Sequence, residues 1–181
     1  MLSSIILGSI LAKMPKEYDE FRSCFFGDGE LFFNLPAKGK RWINDIDKDI
    51  VDFYKQVQKT PNKEIICPHK INFGLLRSIT SMSKYLKSVA ITRYCATALL
   101  KIPGKNVFCF LDPPNFPDTE DHKKLAEVVK ETEHMVLMDC QDNELIRSLY
   151  LEEDGFYLHE KNGELLIVNY EVEDEGVVKL F

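Results

Sequence analysis

The chain has no Cys-x-x-Cys pair, and its five cysteines, Cys24, Cys67, Cys95, Cys109 and Cys140, form an odd set. Neither a disulfide framework nor a cysteine-rich zinc site organises such a sequence. Three of the five stand inside apolar runs, which suits buried, reduced thiols in a cytoplasmic protein. The histidines, His69, His122, His134 and His159, are scattered without metal-ligand spacing, so no metal is expected. No serine or cysteine has a legible base partner, and hydrolase chemistry is therefore unmotivated. A long apolar run is also missing. The opening MLSSIILGSILAKM carries no basic region before it and falls short of the ~20 residues that cross a bilayer. It reads as a buried N-terminal helix or strand, and no membrane is expected as a partner.

An excess of positive charge is missing as well, the formal net charge being −6. This total argues against nucleic acid, but its distribution argues back. Residues 60–93 carry Lys63, Lys70, Arg77, Lys84, Lys87 and Arg93 against the single acid Glu64, whereas residues 118–154 carry twelve acids and four bases. One segment can face a polyanion while the remainder stays acidic.

What is present is an alternation of strand-like and helix-like segments. Residues 22–26 (RSCFF), 40–45 (KRWIND), 88–92 (SVAIT), 106–112 (NVFCFLD) and 134–139 (HMVLMD) read as strands. The fourth is an unbroken apolar run, as expected of a central parallel strand buried on both faces. Residues 47–59 place Ile50, Phe53, Tyr54 and Val57 at helical spacing, with Asp47 as cap. Helices are also expected from ELFFNL, over 119–131 with Thr119 as cap, and over 143–150. The final segment reads as a hairpin turning at Asn162-Gly163. Strands and helices alternating in this way predict an α/β, doubly wound, mainly parallel sheet with a closing antiparallel strand. The 181 residues suit a single domain, with a short basic insertion at about 60–87.

In such sheets ligands bind beyond the carboxyl ends of the strands, and three signals fall there. Gly27-Asp28-Gly29, following Phe26, permits a tight turn and close backbone approach at a helix start. Asp45, next to Ile46, lies about one strand–helix unit later, where an acid can accept from ribose hydroxyls; it can equally be an ordinary helix cap. Asp112-Pro113-Pro114-Asn115 follows the most apolar strand. Its prolines lack amide donors and hold fixed φ angles, so the loop presents a stiff rim of acceptors suited to an exocyclic amine.

Together these segments resemble the DNA adenine-N6 methyltransferases of the DNA adenine methylase type. FFGDGELFFNL is similar to the family's cofactor-binding FxGxG segment, INDIDKDIVDFYKQV to its ribose-binding segment and FLDPPN to its catalytic DPPY. The likeness covers residues 22–59 and 105–171. It implies a Rossmann-like fold and transfer of a methyl group from S-adenosylmethionine to adenine N6 of a flipped base in DNA. By the same resemblance, Phe26, Gly27, Asp28, Gly29, Asp45 and Ile46 would hold the cofactor. Asp112, Pro113, Pro114 and Asn115 would form the catalytic loop. Lys63, Lys70, Arg77, Lys84 and Lys87 would contact phosphates.

The chain departs from the family pattern in several places. Asn115 stands where the family has an aromatic that stacks on the base, and Ser23-Cys24 where it has Glu-Pro. Tyr94-Cys95 replaces an acid, and the basic span at 60–87 stands in place of a full target-recognition domain. Two readings besides an active N6-adenine enzyme stay open. One is a catalytically impaired homologue that binds nucleic acid or a protein partner, and the other an unrelated enzyme on the same fold.

Overall fold

The computed structural model describes residues 4–60, 65–69, 71, 78–116 and 119–172. Within them lies a seven-stranded sheet: β1 (Glu20–Ser23), β2 (Lys40–Asn44), β3 (Val89–Thr92), β4 (Val107–Leu111), β5 (Met135–Gln141), β6 (Tyr157–Lys161) and β7 (Glu164–Val168). The spatial order is β3-β2-β1-β4-β5-β7-β6. The first five strands are mutually parallel, and β7 inserts antiparallel between β5 and β6. This is the expected doubly wound α/β sheet with a closing antiparallel hairpin. Its turn falls at Asn162-Gly163, both at positive φ (53° and 80°), as a two-residue hairpin demands.

The helices are α1 (Ser4–Lys13), α2 (Glu30–Asn34), α3 (Lys48–Lys59), α4 (Ile79–Leu86), α5 (Ala96–Leu100), α6 (Thr119–Glu131) and α7 (Glu144–Leu149). Side chains alternate across each strand, so the sheet divides the core in two. Phe108 and Phe110 join Phe21, Leu137, Leu166 and the apolar faces of α1 to α4. Val107, Cys109 and Leu111 join Val136, Met138, Leu165 and residues of α5, α6 and α7. All five residues of β4 are buried, which is why it reads as a continuous apolar run. Among the described residues no helix is long and apolar enough to cross a membrane.

Several boundaries differ from the sequence reading. The first strand is Glu20–Ser23 rather than 22–26, because ladder pairing with β2 and β4 ends at Ser23. Cys24 to Phe26 stay attached through Cys24 N–H to Phe110 O (3.0 Å) and Phe26 N–H to Asn44 O (2.9 Å). They are apolar because Phe26 turns into an aromatic cluster, its ring 4.7 Å from that of Tyr54. Thr119 lies inside α6 rather than capping it. The helix α5 has no counterpart among the sequence-level elements; five residues are too few for a periodic signal. The segment around 60–87 contributes α4, whose Met82 and Leu86 are buried. Gln58 of α3 donates to Leu86 O and Val89 O at 2.7 and 2.8 Å, tying α4 and β3 to α3.

Candidate active site at the carboxyl end of the sheet

Two left-handed glycines shape the turn after β1. Gly27 has φ 53° with open space where a Cβ would stand. Gly29 has φ 73°, and a Cβ there would lie 2.6 Å from the Phe26 ring, so a side chain would be strained and would displace that ring. Asp28 Oδ1 accepts from Glu30 N–H (3.1 Å) and starts α2. Tyr54 Oη donates to Asp28 O (2.8 Å), clamping the turn to α3.

Asp45 stands just past β2, half-buried. Its Oδ2 accepts from Gly27 N–H and its Oδ1 from Asp47 N–H, both at 2.9 Å. The acid thus holds the glycine turn against the start of α3, while Asp47 itself caps α3 by accepting from Asp49 N–H. Two of the carboxylate's four lone-pair sites are used, leaving acceptor capacity on its outer side. Beside it Ile46 is 61% exposed, and its carbonyl accepts from Arg93 Nε (3.0 Å).

A residue that the sequence reading passed over sits beneath this edge. Asn44 is buried, donating to Cys24 O and Tyr94 O and accepting from Tyr94 N–H and Thr92 Oγ1, all at 2.7–3.1 Å. It ties the ends of β1, β2 and β3 together, so the glycine turn and Asp45 start from one rigid base.

Across the turn, Asp112 follows β4. It lines one narrow crevice together with Ser23, Phe25, Phe26, Asp28, Gly29, Glu30 and Phe110. Burial of its inner side pushes the Asp112 carboxyl up to about 6, with added repulsion from Glu164, Asp28 and Glu30. Its outer side is exposed, as are Pro114 and Asn115, whereas Pro113 is buried. Phe116 packs on Phe25 and His122, with ring centroids 6.2 and 4.9 Å away. It is therefore engaged below the loop rather than offered in place of Asn115. The volume of the crevice is about 30 Å³, room for one or two waters. A larger cavity of about 490 Å³ lies at the opposite, amino end of the parallel strands, between Lys13, Tyr18, Lys38 and Tyr170. The acids and glycines make the small crevice the better candidate, since strand carboxyl ends are where such sheets bind ligands.

Of the five basic residues expected to meet phosphates, Lys63, Lys70 and Arg77 lie outside the described residues. Lys84 and Lys87 are exposed, at the end of α4 just before β3 begins. That is the amino end of the sheet, away from Asp112. Exposed basic side chains on the Asp112 side include Arg93, just past β3, and Lys48, at the start of α3. The sheet also brings to the site two acids not singled out from the sequence, Asp139 on β5 and Glu164 on β7. The signal for Asp139 was an acid directly after the apolar run at 135–138.

The strand order, the glycine turn and the acids beyond β2 and β4 define a Rossmann-like methyltransferase fold. Residues 4–75 match the model of the D12 class N6 adenine-specific DNA methyltransferases. Over 67 residues the chain is 34% identical to the type II methyltransferase M1.LlaDCHI of Lactococcus lactis subsp. cremoris, covering 36% of this chain and 23% of that protein. The chain thus aligns with about a quarter of the curated relative's length. Two solved structures extend the likeness along the chain. A conserved hypothetical protein of Streptococcus pyogenes matches with a TM-score of 0.53 and 13% identity, covering 90% of this chain and 93% of that one. A dimethyladenosine transferase of Plasmodium falciparum matches with a TM-score of 0.52 and 12% identity, covering 92% and 60%. At these identities the structural likeness is one of fold. The chain is homologous to methyltransferase-fold proteins, and the match to the family model ends at residue 75, before the Asp112 loop.

Proposed function

We propose that the chain is an S-adenosylmethionine-dependent methyltransferase whose acceptor is the exocyclic amine of adenine in DNA. The observation that carries this reading is the facing of Asp112 and the Asp28-Gly29 part of the glycine turn across one crevice, with Asp45 bound to Gly27 N–H at the turn's other flank.

The residues present suit this cofactor chemically. The open side of Gly27 admits close backbone approach, Asp45 retains lone pairs for ribose hydroxyls, and exposed Ile46 offers an apolar surface beside them. The acids Asp28, Glu30 and Asp112 provide a negative lining for a cationic sulfonium and ammonium. The crevice itself, about 30 Å³, takes only a small part of such a ligand. When bound, the cofactor supplies a methyl group made electrophilic by the adjacent sulfonium. The chain's own task is orientation: the Asp112 carboxylate and the Pro113 carbonyl accept from the target amine and direct its lone pair. Transfer to a primary amine releases one proton, and Asp112, held near neutrality, is placed to receive it.

Asn115 favours a second reading. An asparagine offers no face on which a flipped base stacks, a contact worth ~1–3 kcal/mol per base. The chain then binds cofactor or DNA without efficient turnover. Calorimetric titration with S-adenosylmethionine and its demethylated product, followed by transfer of a labelled methyl group to duplex and single-stranded DNA, separates the two. Transfer that disappears in D112A supports the enzyme. Binding of both ligands without transfer, in the natural protein and in N115Y, supports the binding module. No binding of cofactor by the folded protein overturns the proposal.

A further inference from the structure

Behind Asp112 lies a second carboxyl for which the methyl-transfer scheme has no use. Leu111 of β4 pairs with Met138 of β5, so Asp112 and Asp139 come next, side by side. Phe110 and Leu137 point into the core under α1 to α4, and alternation puts Asp112 and Asp139 on that same face. On β7, Leu166 opposes Asp139 and points the same way, which places Glu164, two residues earlier, in the same row. Three carboxyls from three adjacent strands therefore line one face at the carboxyl end of the parallel strands.

The middle member is the anomaly. Asp139 is 2% exposed, and among the described residues its Oδ1 has no hydrogen-bond partner. The Glu164 carboxyl stands beside it in the same row, and two carboxyls brought together out of water favour one retained proton over two adjacent charges. An ionised Asp139 would bury a charged oxygen with no donor in reach, whereas a protonated one leaves only a neutral oxygen unmatched. Burial raises its proton affinity most, followed by the charges of Asp112 and Glu164, to about 8. Asp28 and Glu30 add negative charge around Asp112 from the α2 side. The charge of the chain's amino terminus acts in the opposite sense.

We infer that Asp139 is the protonated hub of this three-carboxyl row and acts as a positioning residue for Asp112. Its proton keeps the row from carrying adjacent charges and lets Asp112 ionise with a neutral carboxyl directly beside it. The consequence for methyl transfer rests on the function proposed above, but the retained proton does not.

The decisive measurement is carboxyl-carbon NMR titration of the full chain labelled at aspartate, comparing the natural protein, D112N and D139N. D139N is close to isosteric and assigns the Asp139 signal, while Asp112 is exposed enough for D112N to fold. The expected result is an Asp139 midpoint near or above neutrality, falling by about one pH unit or more in D112N as a like charge is removed. A midpoint in the ordinary range near ~4, or one unmoved by D112N, overturns the inference. In the methyl-transfer assay, activity should fall above about pH 8 in the natural protein, where Asp139 ionises, and D139N should abolish that fall. An alkaline limb unchanged in D139N overturns the positioning role. Absence of transfer alongside the expected titrations overturns the methyltransferase reading and leaves the carboxyl row standing.

Discussion

Removing the Asp45 carboxylate should destabilise the protein even when no ligand is present. In D45A two charge-assisted hydrogen bonds disappear, from Gly27 N–H and Asp47 N–H, each 2.9 Å long. Such bonds contribute about 1.5–3 kcal/mol each when buried. Asp45 is half-buried, and water can reach part of what it leaves behind. We therefore expect a loss of about 2–4 kcal/mol, which for a chain of this length lowers the melting temperature by about 4–16 °C. D45N should recover less than half, since its amide keeps one acceptor and turns a donor toward a backbone N–H. The assay is urea unfolding at neutral pH without ligand, followed by intrinsic fluorescence. A D45A protein within about 0.5 kcal/mol of the natural one would show that this acid does not hold the glycine turn, since that is the scatter of an ordinary surface substitution. The measurement also bears on function. Loss of cofactor binding in D45A combines a missing ribose contact with a loosened turn, and the unliganded stability separates the two.

Other outcomes are expected from the same geometry. N115Y should raise the rate of methyl transfer to DNA by about tenfold or more if stacking is what the loop lacks, a 1–3 kcal/mol contact per base; equal rates would place the defect elsewhere. The raised carboxyls give an unusual pH dependence. Asp139 holds its proton more tightly folded than unfolded, so its contribution to stability is present below about pH 4 and is lost as pH rises toward about 8. D139N should therefore gain stability relative to the natural protein between pH 5 and 8.5 in paired unfolding titrations, and a constant difference would refute the shift. In DNA binding measured against salt, R93E should weaken affinity and reduce the salt slope by about one ion. The K84E/K87E pair, at the far end of the sheet, should change both less; a larger effect there would move the DNA path to the amino end.

The sequence by itself determined the layers of this protein and the places where chemistry could sit. Alternating apolar segments of strand and helix length admit few arrangements other than a parallel sheet covered on both sides. The unbroken run at 107–111 marks a strand buried on both faces wherever it finally stands. Glycines at 27 and 29, Asp45 and Asp112 are legible for the same reason: each follows a strand-like run, and turns after parallel strands gather at one edge. What only the tertiary structure decided depends on lateral neighbours. Strand order brought β4 between β1 and β5, setting Asp112 against the glycine turn on one side and Asp139 on the other. The antiparallel insertion of β7 added Glu164 to that row, and no local pattern in its hairpin announces such a neighbour. The length of α4 before β3 carried Lys84 and Lys87 to the far end of the sheet from Asp112, a placement that charge counting along the chain, which assigned them to phosphate contacts, does not give. Asn44 and Asp139 look like ordinary strand ends in the sequence. They become a structural hub and a buried acid because pairing on both sides removes their water, and only then must their polar atoms find partners in the protein.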